Sequence, residues 1–358
     1  MMRSREGFMR QTSLGGAACI ALYLFVKGVG ASAITPTYTI VDLGSLGGRQ
    51  ITPMGINNRG AIVGFAATGD GRTRGFLYTG GSLIDLGTLG GEDSFAYRVS
   101  DSGIIVGRAQ DMTGRFHAFV MTITGGTIEL KSLDPRVDGD FGSAVGVNGL
   151  GDVIGYYTTA GAHMSAQNRI FRYRDFQVED LGTFGGEDGV AMAVNDRGSV
   201  AGYFSSEPHA DYAQHRAFLL SDGKLVAIGS LGGRLTTARD LNNRDEVVGD
   251  GDVGDGEHRA FLFSSGRLQD LGTLPGGRQS AAYAINERGD IVGFSEGSSS
   301  SARAVIIVEG VMRDLNGLIP AGLGWVLTEA RDINDSGQIV GTGWRNGEQR
   351  GFLLTPPS

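Results

Sequence analysis

The chain has 358 residues, and 41% of them are hydrophobic, which suffices to bury a core in one large domain or two ordinary ones. It contains 61 Gly but only 8 Pro, a composition that excludes a low-complexity disordered chain and indicates many tight turns between short strands. The net charge of −8 makes the chain acidic, so we expect no nucleic-acid partner.

Residues 1–33 have the pattern of a secretory signal peptide. Three arginines precede the apolar run 17–26, and Ala31-Ser32-Ala33 forms a small-residue cleavage site. The run has ten residues, half of the roughly 20 that a bilayer span requires. We therefore predict a secreted or periplasmic mature chain, residues 34–358, with no membrane span after cleavage. Cys19 is the only cysteine and lies in this segment, so no disulfide is expected in the mature domain.

A nine-residue pattern recurs seven times along the chain and determines the predicted fold. The copies occupy residues 56–64, 99–107, 147–155, 194–202, 241–249, 285–293 and 333–341. Their final glycines are 43 to 48 residues apart, the length of one four-stranded propeller blade. The prediction is an all-β fold, a seven-bladed β-propeller of four-stranded antiparallel blades, in one domain over residues 34–358.

Each repeat predicts four strands in the same order. The first strand leads into an Asn-x-x-Gly hairpin turn, with Asp245 replacing the glycine in the fifth repeat. The second is rich in Val and Ile, the third carries a Phe, and the fourth ends in Asp-Leu-Gly. Because a residue needed once for chemistry should not recur in every repeat, we assign structural roles to the recurring acids Asp42, Asp85, Asp180, Asp270 and Asp314.

The two ends of the repeat array are complementary. Residues 38–44 form a fourth strand that no first strand precedes, and the last repeat stops after its third strand at 350–354. We therefore expect the N-terminal strand to complete the last blade and close the ring, which removes the open sheet edge that a solenoid must cap.

These motifs resemble those of the HAF-repeat family of bacterial extracellular proteins. The family's third-strand signature matches His117-Ala118-Phe119, and the Asp-Leu-Gly-Thr-Leu-Gly-Gly element matches residues 85–91. The resemblance covers about residues 38–354 and departs from the family pattern at residues 129–140. It implies an exported protein with a repetitive all-β fold, and it carries no catalytic residues.

Variable loops on one side of the predicted ring are the first candidate binding surface. Loops 131–142, 156–168 and 203–215 join strands on the side opposite the tight turns, where a rigid scaffold commonly presents recognition residues. His209 and Tyr212 are ligand-binding candidates there. His209, Asp211 and His215 could also bind a metal ion, although a solvated loop is the favoured interpretation.

The innermost strands supply a second set of candidates. Tyr97, Arg239, Tyr283 and Arg331 occupy the same position of their repeats, three residues before the turn Asn or Ser, so they share an orientation. They could line the central channel and bind an anion or a sugar. The favoured alternative is that they pack between blades, with the two arginines paired to acidic neighbours.

The loop after the fifth second strand carries Asp250, Asp252 and Asp255, whose oxygens could bind calcium, although their spacing departs from the EF-hand pattern. No other cofactor is expected. The sequence favours a non-catalytic binding or structural module for an extracellular glycan or protein. The alternative is a carbohydrate-active enzyme, a hydrolase or lyase with its acids at the channel mouth, for which no catalytic residue is identifiable.

Overall fold

The computed structural model describes residues 38–124, 127–133, 141–159, 167–175, 177–205, 214–254 and 256–357. The predicted signal segment and four of the candidate residues, His209, Asp211, Tyr212 and Asp255, lie outside this part of the chain. Its regular structure is β-strand apart from one short 3₁₀ helix, Leu315–Leu318, so the all-β prediction is confirmed. A search of these residues for a helix with the length and apolarity to cross a membrane finds none.

The described residues form twenty-eight strands. The first, β1 (Thr39–Asp42), precedes the repeats, and the others are β2 (Gly47–Ile56), β3 (Ile62–Thr68), β4 (Thr73–Thr79), β5 (Ser82–Asp85), β6 (Gly90–Val99), β7 (Ile104–Asp111), β8 (Phe116–Thr124), β9 (Thr127–Ser132), β10 (Phe141–Val147), β11 (Val153–Thr158), β12 (Asn168–Arg174), β13 (Gln177–Gly182), β14 (Asp188–Val194), β15 (Val200–Ser205), β16 (His215–Ser221), β17 (Lys224–Ala227), β18 (Thr236–Leu241), β19 (Val247–Asp252), β20 (His258–Ser264), β21 (Arg267–Asp270), β22 (Ser280–Ile285), β23 (Ile291–Glu296), β24 (Ala302–Val308), β25 (Val311–Asp314), β26 (Trp325–Ile333), β27 (Ile339–Arg345) and β28 (Glu348–Thr355).

These strands form six sheets rather than the seven separate sheets that the sequence predicted. Four repeats each make a four-stranded antiparallel sheet, β2–β5, β14–β17, β18–β21 and β22–β25. The second and third repeats share one eight-stranded sheet because Phe116 of β8 and Phe141 of β10 form a single parallel bridge between them.

The sixth sheet joins the two ends of the described chain. Its order is β1-β28-β27-β26, and the antiparallel register of β1 with β28 runs from Thr39 opposite Thr355 to Asp42 opposite Phe352. The backbone amide of Leu43 also donates to the carbonyl oxygen of Gly351 at 3.0 Å, and the Leu43 side chain is buried. The predicted pairing of the N-terminal strand with the last repeat is therefore confirmed.

The Asn-x-x-Gly segments form the predicted hairpin turns. In the first repeat, Gly60 donates its amide to the Asn57 carbonyl oxygen at 3.0 Å, and Asn57 Oδ1 accepts the amides of Arg59 and Ala61 at 3.1 and 2.9 Å. Gly60 has a φ of 78°, a region that favours glycine, and Asp245 adopts a φ of 59° at the same position of the fifth repeat. The side chain of the turn Asn thus stabilises its own turn.

The repeated glycine that ends each sequence pattern lies beneath the repeated Phe of the third strand. A Cβ atom on Gly107 would lie 1.9 Å from the carbonyl oxygen of Phe95 and 2.8 Å from the ring of Phe119. Glycine is required here because inner strand and Phe ring together leave no space for a side chain. The third-strand rings are buried as expected, and they are Phe76, Phe119, Phe171, Phe218, Phe261 and Phe352.

The recurring aspartates of the fourth strands have the predicted structural role. Each accepts the backbone amide two residues further along the chain at 2.7–3.0 Å, as between Asp85 Oδ1 and Gly87. The members are Asp42, Asp85, Asp180, Asp270 and Asp314. These carboxylates fix the exit of the outer strand, which explains why they recur.

Candidate functional site

A cavity of about 220 Å³ lies where the turns of all seven repeats converge, and we call it the turn cavity. Each repeat contributes the residues just before and within its Asn-x-x-Gly turn. The contributing turn residues include Asn57, Ser100, Asn148, Asn195, Asn243, Asn286 and Asn334. The seven inner strands therefore end around one common space.

Hydrogen bonds between repeats surround the turn cavity. In six repeats the turn Asn donates its side-chain amide, 2.9–3.3 Å away, to the carbonyl oxygen at the same position of the next repeat. Asn334 of the last repeat donates in this way to Asn57 of the first, at 3.0 Å. In the described chain the series is interrupted only at Ser100, because a hydroxyl is too short to replace the carboxamide.

A second series of hydrogen bonds follows one residue later in each turn. The amide of Asn58 donates to Asp101 Oδ1 at 2.8 Å, and the amide of Asp335 donates to Asn58 Oδ1 at 2.8 Å. Further links of the same kind join Gly149 to Asp196, Asp196 to Asn243, Asn243 to Glu287 and Glu287 to Asp335. The acids of the turns thus accept backbone amides of neighbouring repeats, which is a structural task.

Three charged residues that the sequence did not single out line the turn cavity. Arg98, Asp240 and Asp332 stand two residues before the turn residue, where the other repeats have Gly or Ala. Asp240 Oδ2 accepts the amide of Ile285 at 2.9 Å, and Asp332 Oδ2 accepts the amide of Ile56 at 2.8 Å. Each carboxylate therefore joins its own repeat to the next.

Burial changes the acidity of these two carboxyl groups. It raises the pKa of Asp240 from 3.8 to about 7, and the neighbouring Asp332 adds to the rise while Arg98 opposes it. Burial also raises the pKa of Asp332, again against the effect of Arg98. The turn cavity thus holds two acids from different repeats that resist ionisation.

A second group of side chains lies further along the same strands, away from the turns. Phe65, for example, is three positions beyond Ile62, the first residue of β3, which corresponds to about 10 Å along the strand. We call this group the loop-side belt. It consists of residues from the first, second and third strands of the repeats, all half-buried except the buried Asp250: Phe65, Phe95, Tyr97, Arg108, Phe116, Phe141, Tyr156, Tyr203, Arg239, Asp250, Tyr283, Glu329 and Arg331. Unlike the turn residues, these differ in kind from repeat to repeat.

One arc of the loop-side belt is aromatic. Ring centroids lie 5.0 Å apart for Phe65–Phe95, 5.8 Å for Phe95–Phe116, and 6.0 Å for Phe116–Phe141 and for Phe141–Tyr156. These distances and the mostly tilted ring planes are those of attractive aromatic pairs. The arc joins the first three repeats in one continuous apolar surface.

Arg108 lies inside the aromatic arc. Its guanidinium carbon is 4.7, 4.8 and 5.0 Å from the ring centroids of Phe95, Phe116 and Phe141. Its Nε atom is buried and has no hydrogen-bond partner among the described residues. Burial raises the pKa of the neighbouring Tyr97 to about 12, an effect that the Arg108 charge opposes.

The other arc is polar and contains three of the predicted channel residues. The ring of Tyr283 lies between two guanidinium groups, 5.2 Å from that of Arg239 and 4.8 Å from that of Arg331. Arg239 pairs with Asp250, and Arg331 pairs with Glu329. The structure therefore shows the favoured alternative of paired arginines, and it also brings Arg239, Tyr283 and Arg331 into contact with one another.

Two histidines complete the polar arc. His258 Nδ1 lies 3.4 Å from Asp250 Oδ2, and this contact raises the pKa of His258. Burial is the largest single effect on the pKa of Asp250 and raises it, but the contacts with His258 and Arg239 together lower that pKa below its ordinary value. The ring of His215 stacks on Tyr203 at 4.5 Å, and burial lowers the His215 pKa. The sequence analysis named His215 only as a possible metal ligand and missed His258, because their position is repeated while their identity is not; aligning the seven repeats would have revealed it.

The candidate calcium ligands already have protein partners. Asp250 binds Arg239 and His258, while Asp252 accepts the amides of Gly254 at 2.6 Å and Arg234 at 3.2 Å. Across the described ranges no group of three or more Asp, Glu, His or Cys is placed to hold a metal ion. Calcium binding, with Asp255 outside the described residues, stays a prediction.

The predicted loops 156–168 and 203–215 are shorter in the structure, because the strands on both sides extend into them. Tyr156 and Tyr157 lie in β11 and pair with Ile170 and Arg169 of β12, and Ser205 of β15 pairs with His215 of β16. In each of these two predicted loops the strands include three residues at the start and one at the end. Belt residues Tyr156 and Tyr203 thus stand on strands, and the central residues of both loops lie outside the described chain.

No protein-family model and no curated protein sequence matches the chain. Solved structures do: an acylaminoacyl peptidase in complex with Z-Gly-Gly-Phe-chloromethyl ketone has a TM-score of 0.56 at 10% identity, covering 89% of this chain and 51% of that one. The β-propeller domain of the Trilobed protease from Pyrococcus furiosus, described as having an open velcro topology, has a TM-score of 0.54 at 12% identity, with coverage of 90% and 94%. A puromycin-hydrolyzing peptidase of Mycobacterium tuberculosis has 0.53 at 15%, with coverage of 86% and 52%.

This chain spans about half the length of the acylaminoacyl peptidase. At these identities the likeness concerns the fold alone. It agrees with the sheet arrangement: the chain has an all-β, propeller-like fold.

Proposed function

We propose that this chain is an exported, seven-bladed β-propeller with a closed ring, and that it binds an extracellular ligand at the loop-side belt without catalysing a reaction. Three observations support the ring. The eight-stranded sheet is two four-stranded meanders joined by one bridging pair, β1 pairs with β28, and residues of all seven repeats border the turn cavity.

The contrast between the two ends of the inner strands carries the functional proposal. Around the turn cavity most residues repeat and satisfy one another, whereas the loop-side belt gathers aromatic and charged groups that vary from repeat to repeat. Binding sites combine apolar walls with a few placed polar groups, and they are commonly built on a rigid scaffold beneath variable loops. The belt has this composition, and its residues Tyr156 and Tyr203 stand in strands that lead into two of the loops predicted to be variable.

A glycan is the ligand class that this composition favours. Aromatic rings such as Phe116 and Tyr203 offer flat apolar surfaces for sugar rings, and the Arg239–Asp250 pair offers donors and acceptors for hydroxyl groups. A protein is the other extracellular ligand that the sequence analysis suggested.

Binding of a glycan array by the mature chain tests the proposal. We expect bound glycans to be lost in the double variant Phe116→Ala/Tyr203→Ala and retained in Leu225→Ala, a change to an exposed side chain of the outer strand β17. Thermal unfolding of both variants shows whether each is folded. Equal binding by the two folded variants would refute the assignment of the site to the belt.

The proposed export rests on the signal pattern of residues 1–33 and on the resemblance to the HAF-repeat family. We expect the full chain, expressed in a bacterium with a signal peptidase, to be recovered outside the cytoplasm with Ile34 as its first residue. Recovery of the intact chain from the cytoplasm would contradict the proposal.

A carbohydrate-active enzyme is the second candidate, and one observation favours it. Asp240 and Asp332 come from different repeats, share the turn cavity and both have raised pKa values, as a general acid requires. Both carboxylates also hold backbone amides, which is the structural alternative. If polysaccharide cleavage is detected, Asp240→Asn and Asp332→Asn should each abolish it while the variants stay folded.

A further inference from the structure

Arg108 differs from the other arginines of the loop-side belt. Arg239 pairs with Asp250 and Arg331 pairs with Glu329, but in the described part of the chain no carboxylate pairs with Arg108. A guanidinium group carries five N–H donors and a permanent charge. Arg108 therefore holds its charge against apolar rings with its Nε donor unsatisfied.

The position of Arg108 does not favour the stability of the fold. Contacts with the faces of three rings offset part of the loss of hydration, but they leave a buried N–H without an acceptor. Arg108 as a whole is half-buried, so part of its side chain contacts solvent, and the Tyr97 hydroxyl is a polar neighbour. A partly exposed donor group held among aromatic rings is suited to receive an anion.

We propose that Arg108 and the aromatic arc bind the carboxylate of an acidic sugar, a hexuronate unit of a glycan. This inference rests on the proposed function and specifies its ligand. A planar guanidinium matches a carboxylate through two parallel N–H···O bonds, and the low polarity around it strengthens that pair. The rings of Phe116 and Phe141, both next to the guanidinium and 6.0 Å apart, can pack against the apolar face of the pyranose.

A free peptide carboxylate has the same head group, but two features favour the sugar. The arc provides several flat rings, on which a sugar ring can stack. The neighbouring polar arc adds the Asp250 carboxylate and the Arg239 guanidinium, which suit a ligand rich in hydroxyl groups. The peptide is therefore an outcome of the test.

Calorimetric titration with trigalacturonate, and with galactotriose as the neutral counterpart, tests the proposal on the mature chain. We expect trigalacturonate to bind at least about tenfold more tightly than galactotriose, since a charge-assisted pair is worth at least one such factor. Arg108→Met should lose that preference, and Arg108→Lys should lose most of it because an ammonium lacks the planar fork. Arg267→Met, on the exposed outer strand β21, is the matched control and should bind as the parent does.

The outcomes separate this inference from the proposed function. If neutral glycans bind and depend on Phe116 and Tyr203, but trigalacturonate has no advantage, the inference fails and the proposed function stands. If no glycan binds at all, both fail. Tighter binding of a tripeptide with a free C-terminal carboxylate than of trigalacturonate, lost in Arg108→Met, would overturn the acidic sugar. Should Arg108→Met unfold, the charge-preserving Arg108→Lys variant decides.

Discussion

The turn cavity and the loop-side belt are built from the same strands, yet they follow opposite rules. Around the turn cavity, Asn57 and Asn334 do the same task with the same atoms although they belong to the first and last repeats. In the belt, the position after the repeated glycine is Phe65 in one repeat, Arg108 in the next and Asp250 in the fifth. Repetition serves the assembly of the scaffold, and variation is concentrated in the belt, where we propose that the ligand binds.

Removing the strand that joins the two ends should have the largest effect. Deleting residues 38–44 takes away β1 and the buried side chain of Leu43, and it leaves the edge of β28 unpaired. We expect the free energy of unfolding to fall by more than about 3 kcal/mol and the variant to aggregate, because apolar surface and a free strand edge become exposed. Urea denaturation followed by fluorescence measures this. An unchanged midpoint would show that the last sheet does not need β1.

The acids of the turn cavity make stability depend on pH. A folded-state pKa of about 7 for Asp240, above its ordinary 3.8, means that the folded protein loses stability as pH rises from about 4 to 7. At 1.36 kcal/mol per pKa unit the loss is at most about 4 kcal/mol.

Asp240→Asn keeps an oxygen that can accept the Ile285 amide but cannot ionise. We expect this variant to be more stable than the parent at pH 8, with the difference disappearing near pH 4. Urea midpoints measured across that range provide the check, and Asp270→Asn, at an exposed outer-strand position, is the control. A variant that is less stable at pH 8 would contradict the raised pKa.

Breaking one link around the turn cavity should have an intermediate effect. Asn334→Ala removes the donor to the Asn57 carbonyl oxygen at 3.0 Å and the acceptor of the Gln338 amide at 2.9 Å. Because buried backbone groups are left unsatisfied, we expect a loss of about 2 kcal/mol in the free energy of unfolding. Ligand binding at the belt should be unaffected. Equal stability of variant and parent would remove the structural role of the series.

Completing the interrupted series should have the smallest effect and the opposite sign. Ser100→Asn supplies the carboxamide that the second repeat lacks, placed to donate to the carbonyl oxygen of Asn148. We expect a gain of about 0.5–1.5 kcal/mol, the net value of one hydrogen bond. Differential scanning calorimetry of variant and parent measures it. A lower melting temperature would indicate that Ser100 is required by its own bonds to Ile104 and Ser102.

Features that recur from repeat to repeat were predictable from the sequence. The turns of all seven repeats, the buried Phe rings of six and the fourth-strand aspartates of five follow from local chemistry, and the multiple copies made each pattern clear. Pairing of β1 with β28 followed from the complementary ends of the array. The shared eight-stranded sheet could not be anticipated, because it depends on a single bridge between Phe116 and Phe141.

The belt was only partly predictable for a related reason. Tyr97, Arg239, Tyr283 and Arg331 were identified by their shared position, but their partners come from other strands or other repeats. The surroundings of Arg108, for instance, are residues that lie between 13 positions before it and 33 after it, Phe95 and Phe141. Such contacts depend on the angle between neighbouring blades, which no local pattern encodes.

Cross-linking of β1 to β28 tests ring closure most directly. Val41 and Leu353 lie opposite each other in the register, and Val41 is 42% exposed. In the mature chain with Val41→Cys and Leu353→Cys, a short bifunctional thiol reagent should link the two ends, so that fragments from a proteolytic cut between them stay joined. Val41→Cys combined with Leu225→Cys, on β17 of the fourth repeat, should give no such product. Absence of the Val41–Leu353 link under conditions where both thiols react would contradict the closed ring.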